Sequence, residues 1–279
     1  MTRLIFILST ILCIIVGKSQ AAELPTVSET PLPWVKMMAF AAACDDAQLS
    51  RLFARVPTLK VSQGDSVISP LNIVQTKFLA AITAGDANYT RKCKASISVI
   101  MSNSTYRTVD DIGRQTDFMY YLAGMKDFTA AQIAAADLNT MFALMKGAPD
   151  YDINRQTQSA PNDVTPRTAA GVLAAYGSAK LWCKVKTLEP AITMTLDSQP
   201  YPTTYTPVLL ASAYGNLEMV KMLIGEGADW KISLKQFPDW PILDIANATA
   251  HKDLAAWIIQ HSQGGSGAQE MTCADIKFD

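Results

Sequence analysis

The chain has 279 residues, 49% of them hydrophobic, with 24 basic groups against 25 acidic ones. That suits a sizeable buried core but leaves no excess of basic side chains, so nucleic acid and anionic lipid are excluded as partners. Gly-x-x-x-x-Gly-Lys, Gly-x-Gly-x-x-Gly and Gly-x-Ser-x-Gly are all absent, and no cofactor, no metal and no enzymatic activity are expected.

Arg3 precedes an apolar run, Leu4 to Val16, broken only by Ser9 and Thr10, and the small residues Ser19-Gln20-Ala21-Ala22 follow. This predicts a signal peptide over residues 1–21, cleaved after Ala21 or Ala22, because the run is shorter than the roughly 20 apolar residues a membrane span needs. Leu12 is too bulky for the position before a lipid-bearing Cys13. Loss of Arg3 and Lys18 leaves 22 basic and 25 acidic groups. The compact signal points to a Gram-negative source, a periplasmic address and no stable membrane insertion after cleavage.

Downstream, Val35 to Ala43, Asp45-Asp46, then Leu49, Leu52 and Phe53 read as helix, turn and helix. Ser69-Pro70 starts the next unit, with a turn near Ala84-Gly85-Asp86 and a second helix carrying Cys93, Ile97 and Ile100. Leu138, Met141, Phe142 and Met145 form an apolar helical face paired with Phe118 to Gly124. The acid pairs Asp45-Asp46 and Asp110-Asp111 are adjacent, so their side chains diverge, and helix-start or turn duty is expected. Ser102 to Gly113 and Arg155 to Val164 read as long exposed loops. Thr165-Pro166 begins another helix that ends at Tyr176-Gly177-Ser178.

Thr206 to Ile232 reads Thr-Pro-Val-Leu-Leu-Ala-Ser-Ala-Tyr-Gly-Asn-Leu-Glu-Met-Val-Lys-Met-Leu-Ile-Gly-Glu-Gly-Ala-Asp-Trp-Lys-Ile. Pro207 fits the first helical position, Gly215-Asn216 a tight turn, and Gly227 a helix stop. Leu217, Val220, Leu223 and Ile224 recur at three- and four-residue steps, which turns Glu218, Lys221 and Glu226 toward water. This segment resembles one ankyrin repeat over almost its whole length. Trp240-Pro241 lies 34 residues after Thr206-Pro207 and opens a last unit with His251 to Ile259 as its second helix, before a Gly-rich tail over 263–279.

The resemblance implies an all-α solenoid of about five or six helical hairpins over residues 22–262, diverged toward its N-terminus, that buries one continuous core. The family's histidine after Thr-Pro-Leu is replaced by Asn72, Thr168, Leu209 and Leu243, which removes a bond that usually braces the turns.

Cys44, Cys93, Cys183 and Cys273 remain after signal cleavage, and an even count in an exported chain suggests two disulfides. Three pairings exist. Cys44–Cys93 and Cys183–Cys273 are favoured, since the first joins neighbouring units and the second fastens the tail to the stack. His251 and His261 read as solvated polar residues. Asn88, Asn103 and Asn247 head sequons that matter only in a eukaryotic source.

Tyr176 and Tyr214 precede the Gly turns, on the side such repeats present to partners, while Trp230, Phe237 and Trp240 lie in a connecting loop. These five are the candidate partner-binding residues, because Tyr and Trp dominate interface hot spots. Packing between repeats explains Tyr176 and Tyr214 equally well and Trp240 and Trp257 at least as well. The expected function is binding of a protein partner by a monomer, most concretely a periplasmic immunity protein that neutralises a secreted toxin. A periplasmic scaffold or stress-protective partner is the alternative, as is a hydrolase with an ankyrin-like shell whose chemistry lies in residues 101–164.

Overall fold

Short polar side chains divide the chain into helices. Asp45, Ser69, Asp86, Thr129, Asp137, Thr168, Ser178, Thr206 and Asn216 each accept a hydrogen bond from the backbone N–H three residues on, which satisfies a donor that the first helical turn leaves unpaired. The computed structural model describes residues 33–57, 69–103, 118–119, 121–147, 151–154, 168–197, 205–234, 237–264 and 269–278. The expected signal peptide, Asp110-Asp111, Pro166 and most of the two long loops lie outside these residues.

Within Pro33–Asp279 the helices pair as hairpins. The first is α1 (Pro33–Ala42) with α2 (Asp46–Arg55), and the second is α3 (Pro70–Ala84) with α4 (Ala87–Ser102). In the third, residues 118–119 and 121–123 are helical, then come α5 (Ala130–Ala135) and α6 (Leu138–Lys146). The fourth joins α7 (Ala169–Tyr176) to α8 (Ala179–Leu188) and a 3-10 turn at Pro190–Thr195. The fifth and sixth are α9 (Pro207–Ala213) with α10 (Leu217–Gly225), and α11 (Ile242–Ala248) with α12 (Lys252–Ser262). Buried side chains from Met37 to Ile258 form one hydrophobic cluster.

Four hairpin turns share one backbone. A residue at positive φ stands at Cys44, Gly85, Gly215 and Ala250, with φ of 51°, 71°, 70° and 61°. The next residue opens the second helix, and its N–H donates five residues back: Asp45 to Phe40, Asp86 to Ala81, Asn216 to Ala211 and His251 to Ala246, at 2.8 to 3.0 Å. The repeat is therefore visible in backbone geometry where the sequence has diverged.

Four details depart from expectation. Pro70 and Pro207 take the first helical turn, but α7 starts from Thr168 and Pro241 precedes α11 as its cap. Gly177 has φ near −80° and is extended, unlike Gly215; a side chain there would strike the Leu173 backbone. Lys221 and Glu226 do not simply face water. Glu226 pairs with Lys186 and its side chain is 8% exposed, while the Lys221 ammonium lies over the Trp257 ring at 5.7 Å. Finally, the connection after α10 forms a small antiparallel hairpin, β1 (Ser233–Leu234) with β2 (Phe237–Pro241).

Cys44 is bonded to Cys93 and Cys183 to Cys273. The first bond ties the α1–α2 turn to α4, and the second carries the tail back to α8. Between these anchors the Met271 N–H donates to the Lys221 carbonyl at 3.2 Å, so residues 269–278 form a strap along the second helices of the last three hairpins.

Candidate protein-binding face

Tyr176 ends α7 and Tyr214 caps α9, so equivalent places in neighbouring hairpins bring them together. Their rings meet edge to face with centroids 5.0 Å apart, and the Tyr176 hydroxyl donates to the Tyr214 hydroxyl at 3.1 Å. Both are half-buried against the core. An aromatic pair of this geometry adds about 0.5–1.5 kcal/mol beyond its buried area.

The turns under this pair are cross-braced. Asn216 Nδ2 donates to the carbonyls of Ala174 at 3.1 Å and Gly177 at 2.9 Å, and His251 Nε2 lies 3.1 Å from the Ala213 carbonyl. The His251 ring also packs on Gly215, where a side chain would collide with it. Asn216 and His251, which open α10 and α12, thus each reach back to the turn of the preceding hairpin and supply a brace there. Sequence reading treated His251 as solvated. The signal it passed over was the shared place of Asn216 and His251 directly after a left-handed residue.

Trp230 lies elsewhere. Its ring stands edge-on to His261 at 5.4 Å, with the Lys231 ammonium 5.5 Å from its centroid. His261 stacks on Trp257 at 4.8 Å and meets Glu270 of the strap at 3.5 Å. His251 and His261 mark opposite ends of α12, about 15 Å apart at the helical rise per residue. Trp230 therefore stands at the His261 end of α12, whereas the Tyr214 turn packs at the His251 end. Phe237 and Trp240 lie in β2 with side chains outside the described set.

Beside the end of α10, a recess of about 480 Å³ is lined by Met194, Asp197, Glu226 and Gly227. Met194 is 79% exposed. Its carboxylates are engaged: Asp197 accepts the Asp229 N–H at 2.9 Å and Glu226 pairs with Lys186.

Groups with displaced pKa values lie at joints between elements. Burial, then the Asp137 charge, pushes the Tyr121 phenol well up, and its hydroxyl donates to the Ala136 carbonyl at 2.6 Å. Burial and Glu189 do the same to Tyr151, whose hydroxyl donates to Glu189 at 3.2 Å. Burial alone raises the Asp137 carboxyl, but bonds from Lys94 and Thr140 outweigh it and hold it below the usual range. The described part of residues 101–164 is a helical unit of the stack. Among the described residues, no three His, Cys, Asp or Glu side chains converge as a metal site, and no helix is long and apolar enough to cross a membrane.

The family model of the ankyrin repeat matches residues 204–233, from the approach to α9 as far as β1. That stretch of the chain is an ankyrin repeat, and the shared turn geometry carries the same plan to the first, second and sixth hairpins. No curated protein matches the chain. Ankyrin repeats mediate protein–protein interaction, and proteins built from them are generally binding scaffolds without catalytic activity.

Proposed function

We propose that this chain is an exported periplasmic protein that binds another protein across the turns bearing Tyr176 and Tyr214, and that it acts as an immunity protein against a toxin delivered to that compartment. The observation that carries this reading is the tyrosine pair on cross-braced turns. A partner docking there meets a surface already held in place, so little ordering entropy opposes binding. Two disulfides favour an oxidising compartment, and engaged acids in the recess near Met194 favour docking over acid–base chemistry.

The test uses the full mature chain as bait in periplasmic extract, followed by assay of the recovered protein for toxicity with and without the bait. A toxic partner neutralised at equal stoichiometry supports the immunity reading. A harmless partner points to a scaffold, and hydrolysis of cell-wall or lipid substrates by the bait alone contradicts the proposal.

A further inference from the structure

The two disulfides differ in what must move before a thiol can reach them. Cys44 and Cys93 are 2% and 0% exposed, between the α1–α2 turn and the middle of α4. Opening that bond requires helices to part. Cys183 in α8 is also sealed, at 2%, but its partner Cys273 lies in the strap and is only half-buried. A shift of the strap alone brings its sulfur to solvent. Thiol–disulfide exchange depends on access to a sulfur, and local opening costs least where few contacts hold a segment.

Residues 269–278 are such a segment. Among the described residues, two polar contacts reach from the strap to the stack: the Met271 N–H donates to the Lys221 carbonyl at 3.2 Å, and Glu270 meets His261 at 3.5 Å. The bonds between Thr272 and Asp275 stay within the strap. Met271, Cys273 and Ile276 are half-buried against the core, while Phe278 is 52% exposed.

We propose that Cys183–Cys273 is a redox latch: a dithiol reductant opens it, releases the strap and uncovers the face of α8 and α10 beneath, while Cys44–Cys93 stays closed. One thiolate of the reductant bonds to Cys273 Sγ, and Cys183 leaves and takes up a proton. The reductant's second thiolate then closes its own disulfide and releases Cys273, so two electrons pass to the protein. The strap meets α12 at His261, whereas the Tyr214 turn packs against His251 at the opposite end. Opening the latch therefore leaves the turns of Tyr176 and Tyr214 in place, and it does not depend on the partner those tyrosines take.

The folded chain is incubated with graded dithiothreitol, each cysteine is read by iodoacetamide trapping and peptide mass spectrometry, and amide hydrogen exchange is followed on the same samples. Cys183 and Cys273 should become alkylated at least tenfold faster than Cys44 and Cys93. Once they are, protection of the Met271 amide should fall at least tenfold, while the Asn216 amide, bonded to the Ala211 carbonyl at 2.8 Å, keeps its protection. Cys273→Ser should show low Met271 protection without reductant and no further loss with it. Equal reduction rates for the two disulfides, Met271 protection that survives opening of Cys183–Cys273, or loss of Asn216 protection along with it would each overturn the latch.

Discussion

The left-handed position in the hairpin turns is filled by glycine at Gly85 and Gly215 and by residues with a Cβ at Cys44 and Ala250. An L-residue in that conformation carries about 1–2 kcal/mol of strain. Ala250 is exposed, so nothing but backbone preference is at stake there. Ala250→Gly should stabilise the chain by about 1 kcal/mol, less the entropy glycine adds to the unfolded state. Gly215→Ala should cost about 2 kcal/mol, because positive φ is joined by collision with the His251 ring. Urea midpoints of the two variants decide, and a destabilised Ala250→Gly would contradict the turn geometry. Asp137 offers a pH-dependent case. Its folded pKa is lowered, so its contribution is present above the ordinary carboxylate value and is lost as pH falls through the folded one. Asp137→Asn keeps a capping side chain tolerant of positive φ but gives up the charge that pairs with Lys94. The variant should be less stable at pH 7, with the difference closing below about pH 4; a difference unchanged in acid would assign it to the cap alone.

At the scale of elements, the strap depends on close approach. A side chain at Gly225 would strike the Met271 carbonyl, so Gly225→Val should lift residues 269–278 from α10 while Cys183–Cys273 still holds one end. Amide hydrogen exchange reads this at Met271, whose N–H is bonded to Lys221: protection should fall by at least tenfold in the variant, and unchanged protection would mean the strap is held by the disulfide alone. The strap was legible in part, since Cys273 in a Gly-rich tail called for an anchor and Cys183 was the favoured one. Helix starts at Pro70 and Pro207 were legible because proline there forfeits no hydrogen bond. The Tyr-Gly likeness at 177 misled, since sequence does not separate a glycine used for left-handed φ from one used for contact. In the third hairpin the helical stretch at 118–119 and 121–123 and α6 were both legible from their apolar faces, but α5 between them was not, although the capping box at Thr129 and Gln132 marks its start.

Across the whole molecule, one hydrophobic cluster runs through all six hairpins, and a disulfide fastens each end of it: Cys44–Cys93 in the first two, Cys183–Cys273 in the last three. A solenoid of this kind communicates mainly between neighbours, so the braces at Asn216 and His251 stiffen the region of the tyrosine pair without involving the diverged N-terminal hairpins. Binding across those turns is the central claim, and calorimetric titration of the recovered periplasmic partner tests it most directly. Tyr214→Ala should weaken binding by about 2 kcal/mol, near thirtyfold, while Tyr214→Phe, which keeps the ring and removes the hydroxyl that accepts from Tyr176, should change affinity by less than threefold. Unchanged affinity in both Tyr176→Ala and Tyr214→Ala, with each variant folded, would contradict the account.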